Sequence, residues 1–228
     1  MKLDKAIPPL VLLVVGGGVT WAFGHALAAR PAMIWALAGV YAPLVALAIW
    51  RMWHEGTLLD LFRFRSGDLS LGAAIALALG AATYGARHML APQGTPSDML
   101  VMRIYLQLGE VPTDRGAYAL MSLAIVLIAF SEEIVWRGLV QQVLQEQWGA
   151  RAGWLTTAAL YAAAHLPTVW LLGVPGVMKN PFVPVAALFC GTVWGFVVGR
   201  TQRLPPAMIS HAVFTYALVM QLRLWSPG

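Results

Sequence analysis

The chain is poor in charge and nearly devoid of cysteine. Only 11% of its 228 residues are Asp, Glu, Lys or Arg, whereas an ordinary soluble domain carries roughly 25%. With 59% hydrophobic residues and a mean hydropathy of +0.70, a water-soluble fold is excluded. The single cysteine, Cys190, rules out an intrachain disulfide and every metal motif built on several cysteines. Neither a sequence repeat nor a low-complexity tract is evident. No HExxH motif and no Gly-x-Ser-Gly context occur, and each aspartate (Asp4, Asp60, Asp68, Asp98, Asp114) falls in a tail or a connection. These absences remove the HExxH zinc, Gly-x-Ser-Gly serine and intramembrane aspartyl designs for hydrolysis within an apolar chain.

What is present in quantity is apolar sequence in long runs. Crossing ~30 Å of hydrocarbon takes roughly 20 apolar residues in a helix, and such runs recur along most of the chain. They predict an all-α, polytopic transmembrane helical bundle of about seven spans, at 7–28, 32–53, 69–90, 117–142, 152–173, 182–200 and 205–224. The whole chain, 1–228, reads as a single integral membrane domain: three spans in 1–90, a connection at 91–116, and a four-helix core at 117–225. Lys2 and Lys5, followed by an apolar run ending near Ala26-Leu27-Ala28, imitate a signal peptide. That run is long enough to be an uncleaved first span.

Residues 96–109 mix Met99, Leu100, Met102, Ile104, Tyr105, Leu106 and Leu108 with Arg103 and Gln107. Being short and partly polar, they predict an interfacial or re-entrant helix. A net charge of +5 and a pI near 9.7 could suggest nucleic acid, but the basic residues are scattered between apolar runs, so topology explains them better. With the amino terminus in the cytoplasm, the inner segments hold Lys2, Lys5, Arg51, Arg63, Arg65, Arg151, Arg200 and Arg203. The outer ones hold Arg30, Arg87, Arg103, Arg115, Lys179 and Arg223. The slight excess inside predicts a multi-pass cell-membrane protein with a cytoplasmic amino terminus. Tryptophans near span ends, among them Trp21, Trp35, Trp50, Trp53, Trp154, Trp170 and Trp225, read as interfacial anchors. Gly191, Gly195 and Gly199 recur every fourth residue and predict close helix packing.

Two acids stand apart. Glu132 and Glu133 alone among the carboxylates lie inside a predicted span, where ionisable groups are costly and rarely lack a partner or a function. Residues four apart share a helical face, so Glu133 can pair with Arg137, while Glu132 points about 100° away. Glu133 with Arg137 is then a structural pair, and Glu132 is the candidate base. His165 and His211 occur within later spans. At ~1.5 Å rise per residue, Glu132, His165 and His211 lie roughly 15, 20 and 9 Å from the inner ends of their helices, so one polar layer could hold all three. The bland readings are an ion-pair cluster that locks helices and histidines bonded to backbone carbonyls. The same three residues would also satisfy zinc with an open position for water. His25, His54 and His88 have no comparable setting, and Cys190 beside Gly191 reads as small packing.

Glu132-Glu133-Ile134-Val135-Trp136-Arg137 resembles the EExxxR motif of the CPBP family, the CAAX proteases and bacteriocin-processing enzymes. Tyr161 to His165 resembles that family's FxxxH, with Tyr for Phe. His211 to Thr215 resembles its HxxxN, with Thr for Asn. The likeness covers roughly 117–220. It implies a glutamate-dependent intramembrane endopeptidase without a cofactor, acting on a membrane-embedded or lipidated peptide in the lipid bilayer and not on nucleic acid. It further implies that Glu132 and His165 activate water and that His211 and Thr215 support the oxyanion. Beside that, helical spacing gives Glu133 and Arg137 a structural role, and Tyr161, one turn before His165 on the same face, either orients that imidazole or packs. Thr215 has one donor where an amide has two, which leaves its role open. The competing expectation is a non-hydrolytic transporter or scaffold that uses the cluster for protons or a metal. No second half matching 117–220 is evident, as paired transporter repeats would require.

Overall fold

The structure is a computed structural model that describes residues 2–224, with side chains from residue 4; Trp225 lies outside the described residues. The helices are α1 (Lys2–Ala22), α2 (Ala32–His54), α3 (Asp68–Leu90), α4 (Pro96–Leu108), α5 (Arg115–Trp148), α6 (Ala150–Ala164), α7 (Phe182–Thr201) and α8 (Pro205–Tyr216). Single helical turns occur at Leu58–Leu61 and Thr168–Leu171. The protein is an all-α membrane bundle. Among the described residues, five helices are long and apolar enough to cross a bilayer: α1, α2, α3, α5 and α7.

The remaining two predicted spans differ from expectation. The run 152–173 breaks where α6 ends at Ala164, and His165 caps it. Pro167 follows two residues later, and a proline disfavours helical geometry in the residue before it and lacks an N–H to continue the ladder. The run 205–224 is α8 continued by a π-helical segment, Ala217–Leu222. The fourth predicted span, 117–142, is extended instead, because α5 runs on to Trp148. Asp114 caps its start by accepting a hydrogen bond from the Ala117 amide at 2.9 Å. Gly149, at φ 82°, turns the chain from α5 into α6; a side chain there would be strained.

Polar contacts define the two ends of the bundle. At one end Arg51 of α2 reaches Glu55 (2.5 Å), Glu146 of α5 (3.1 Å) and Asp4 of α1 (3.8 Å). Arg203 pairs with Asp68 at the same end. At the other end α4 gathers the connections. Asp98 pairs with Arg87 at 2.5 Å, and Arg103 donates to the Leu172 carbonyl at 3.2 Å. Asn180 donates to the Leu100 carbonyl at 2.8 Å, and the Leu224 amide donates to the Tyr105 hydroxyl at 2.9 Å. The two shorter segments, α6 with its following turn and α8 with its π extension, therefore also run between these ends. α4 itself forms a 13-residue helix across that second end.

The bundle is centred on α5, α6, α7 and α8. Within the apolar windows of α5 and α7, 44% is buried, against 17% for α3, which puts α3 on the periphery. Large side chains such as Leu13, Leu77, Leu127 and Phe189 face outward, as lipid contact requires. Trp136, Trp194, Tyr41 and Leu139 fill the interior.

Candidate functional site

Glu132 and Glu133 close the first α-helical stretch of α5, the next seven residues, Ile134–Val140, are π-helical, and α-helix resumes at Gln141–Trp148. Such wide turns are rare and frequent at functional sites. All seven are buried. Glu133 and Arg137 are fully buried and paired, Arg137 donating to Glu133 Oε1 at 3.0 Å. The guanidinium also donates to the Gly191 carbonyl at 3.2 Å and lies 4.8 Å from the Tyr161 ring and 5.5 Å from the Trp194 ring. Its charge is thus met by a carboxylate, a carbonyl and two aromatic faces.

His211 of α8 lies between the two acids. Its Nδ1 is 2.8 Å from Glu133 Oε1 and its Nε2 is 3.5 Å from Glu132 Oε2. The imidazole stacks on Trp194 with centroids 3.8 Å apart at 17°, and the Trp194 indole in turn donates to Ser210 at 3.1 Å. This arrangement refines the division drawn from helical direction. Glu133 holds Arg137, and both carboxylates meet at one histidine.

Glu132 is linked to α6 through Tyr161, whose hydroxyl donates to Glu132 Oε2 at 2.5 Å. The same residue's carbonyl is 2.8 Å from His165 Nδ1, and its ring packs edge-on against the His165 imidazole at 4.8 Å. Since a carbonyl only accepts, the proton of that contact belongs to Nδ1, which leaves Nε2 with a lone pair unless the ring is doubly protonated. Nε2 makes no hydrogen bond among the described residues. His165 is half-buried at the helix end, not mid-helix as its run had suggested. Tyr161 thereby ties a carboxylate and an imidazole from two helices into one unit.

Thr215 stands one turn after His211, half-buried, and its hydroxyl makes no hydrogen bond among the described residues. His25, His54 and His88 are exposed near helix ends, and Cys190 is buried. No three His, Cys, Asp or Glu side chains are grouped so as to hold a metal ion among the described residues. Sequence reasoning missed Trp194, Ser210, Trp136 and Tyr41. Trp136 donates to the Tyr41 hydroxyl at 3.2 Å beneath Tyr161. The available signal was position: Trp136 and Trp194 lie in mid-span, away from the interface where tryptophan usually anchors.

Residues 114–217 match the family model described as type II CAAX prenyl endopeptidase Rce1-like. The matched segment contains the glutamate pair, Arg137, Tyr161, both site histidines and Thr215, and the family described is the one that the three motifs resemble. No curated protein matches the chain, and no solved structure does. In general terms the family supports an intramembrane endopeptidase.

Proposed function

We propose, from the match of residues 114–217 to the CAAX endopeptidase family model, that this chain hydrolyses a peptide bond of a lipidated, membrane-associated substrate within the bilayer. The observation that carries the reading is the Tyr161 bridge. It couples Glu132 at 2.5 Å to a residue that also holds His165 at 2.8 Å, with His211 on the far side of the same carboxylate oxygen. Tyr161 thus joins the proposed base to the second proton acceptor, and His211 Nε2, 3.5 Å from the same Glu132 oxygen, is the potential donor.

In this mechanism the Glu132 carboxylate takes a proton from water held against His165 Nε2. The water oxygen bonds to the scissile carbonyl carbon, and the carbonyl oxygen becomes an oxyanion. His211, fixed by Glu133 and Trp194, faces it and donates through Nε2 when the ring carries both protons. The Thr215 hydroxyl is the second candidate donor. When the C–N bond breaks, Glu132 passes its proton to the departing amine. Proton and electron pairs balance without a cofactor. Glu133 and Arg137 act one step away, by holding His211.

The family's description suggests a prenylated CAAX peptide as the first probe. Reconstituted in liposomes, the wild type is expected to release the terminal tripeptide, while Glu132→Ala and His165→Ala lose at least a hundredfold in rate, as removal of general acid–base groups does. Cleavage persisting in both variants would overturn the mechanism. Loss on chelation, restored by zinc, would replace it with a metal-assisted one. If the wild type cuts only the same peptide without its lipid, the prenyl group is not the recognised feature.

A further inference from the structure

One face of α5 carries a row of polar atoms that the packing leaves without protein partners. Glu133 Oε2, Arg137 Nε, Gln141 Oε1 and Gln145 Nε2 are all buried, and none has a hydrogen-bond partner in the protein. Their residues are spaced by four, so they stand above one another along the helix. At ~1.5 Å per residue the row is roughly 18 Å long. The remaining unpartnered atoms of this kind among the described residues, Arg51 Nη1, Arg203 Nε and Arg223 Nε, sit on guanidinium groups at the two ends of the bundle and form no row.

Both ends of the row lead somewhere. Glu133 bonds His211 at 2.8 Å through its other oxygen, so the row ends at the proposed hydrolytic centre. Gln145 is half-buried, and its neighbour Glu146 has an exposed side chain that pairs with Arg51 at 3.1 Å. The row therefore starts at the end of the bundle that holds Asp4 and Arg51. Facing it, Gly191, Gly195 and Gly199 on α7 leave their backbone bare. The Gly191 carbonyl accepts from Arg137 at 3.2 Å and the Gly195 carbonyl from Gln141 Nε2 at 3.0 Å. Because Gln141 Nε2 is committed to that carbonyl, its Oε1 is the amide atom left without a partner.

The unpaired atoms also alternate in kind. From Gln145 to Glu133 they read donor, acceptor, donor, acceptor. A water placed between any two consecutive positions would find one group to accept from and one to donate to. Burying such atoms unpaired costs about 1–3 kcal/mol each, and in folded proteins nearly all are satisfied by protein or by ordered water.

We propose that this face of α5 binds a row of waters running from the Asp4–Arg51–Glu146 end of the bundle to Glu133, and that the row supplies the water that hydrolysis consumes. The supply role rests on the endopeptidase reading above; the bound waters do not. The full chain in lipid bilayers, with 15N-labelled glutamine, tests both by water-edited solid-state NMR. Water magnetisation should reach the side-chain amides of Gln141 and Gln145 about as fast as that of exposed Gln147. It should reach them faster than Gln107, which is buried against the Ala22 carbonyl and Met33. Transfer to Gln141 and Gln145 as slow as to Gln107 overturns the water row. In the liposome assay, Gln141→Met and Gln145→Met, which keep length and lose the polar atoms, should lower kcat about fivefold, the rate equivalent of one hydrogen bond, with KM unchanged. Unchanged kcat in the folded variants overturns the supply role, and half-buried Gln145 carries the test if Gln141→Met does not fold. Retained cleavage in Glu132→Ala would sink the endopeptidase mechanism while leaving the NMR result standing, so the two failures are distinct.

Discussion

At the scale of the residue, the two neighbouring glutamates have different partners and so different energetics. Glu133 is fully buried and bonds Arg137 and His211 through one oxygen, whereas Glu132 keeps 9% exposure and meets Tyr161 and His211. Two charges out of water are tolerable only together, because either alone carries an uncompensated desolvation cost. Arg137→Met should therefore destabilise the protein by about 3–5 kcal/mol, the usual cost of breaking a buried pair. Adding Glu133→Leu should recover part of that loss, since the stranded carboxylate is then gone. Unfolding in detergent, followed by tryptophan fluorescence, checks the order: Arg137→Met below the double variant, and the double variant at or below wild type. A single variant as stable as wild type would mean that Glu133 is not charged beside it.

At the scale of the element, spacing made much of the site legible and backbone irregularity hid the rest. The i, i+4 relation of Glu133 to Arg137 and the order of the three motifs could be read directly, because residue type and helical period determine which side chains share a face. The π-helical turn at Ile134–Val140 left no trace in hydropathy, since every residue in it except Arg137 and Gly138 is apolar in any helical register. Nor did the break at His165, where the apolar run continues through Pro167 while the helix does not. Glycine spacing was legible as packing but not as what it packs. A Cβ on Gly191 would stand 3.0 Å from Tyr161 Cδ1 and 3.3 Å from Arg137 Nη2, whereas on Gly80 it would meet nothing within 4 Å. Gly191→Ala should thus lower stability by about 1–3 kcal/mol through overpacking. Gly80→Ala should leave it unchanged or raise it by up to about 1 kcal/mol through helix propensity. Paired thermal melts in one detergent decide this, and equal shifts in both variants would show that contact with α5 and α6 is not what Gly191 provides.

At the scale of the whole molecule, the polar contacts sort the connections into two sets whatever the number of helices long enough to span alone. Asp4, Arg51, Glu55, Asp68, Glu146 and Arg203 meet at one end. Arg87, Asp98, Arg103, Asn180 and Leu224 meet at the other. The first set is the one that the excess of Lys and Arg assigns to the cytoplasm, and Arg63, Arg65, Arg151 and Arg200 fall in connections or helix ends on that side. A membrane-impermeant thiol reagent applied to intact cells should then leave cysteines placed at Glu55 or Ala150 unlabelled and label those placed at Gln93 or Val177, all exposed positions, in a Cys190→Ala background. Lysis should expose the first pair. Ala150 and Val177 are the informative sites, because the rest of α6 and its following turn are all that separates them. Labelling of both from the same side would mean that this segment does not carry the chain across, and that His165 approaches Glu132 from a re-entrant loop. Labelling of Glu55 and Ala150 alone would invert the molecule, and the water row on α5 would then open to the exterior.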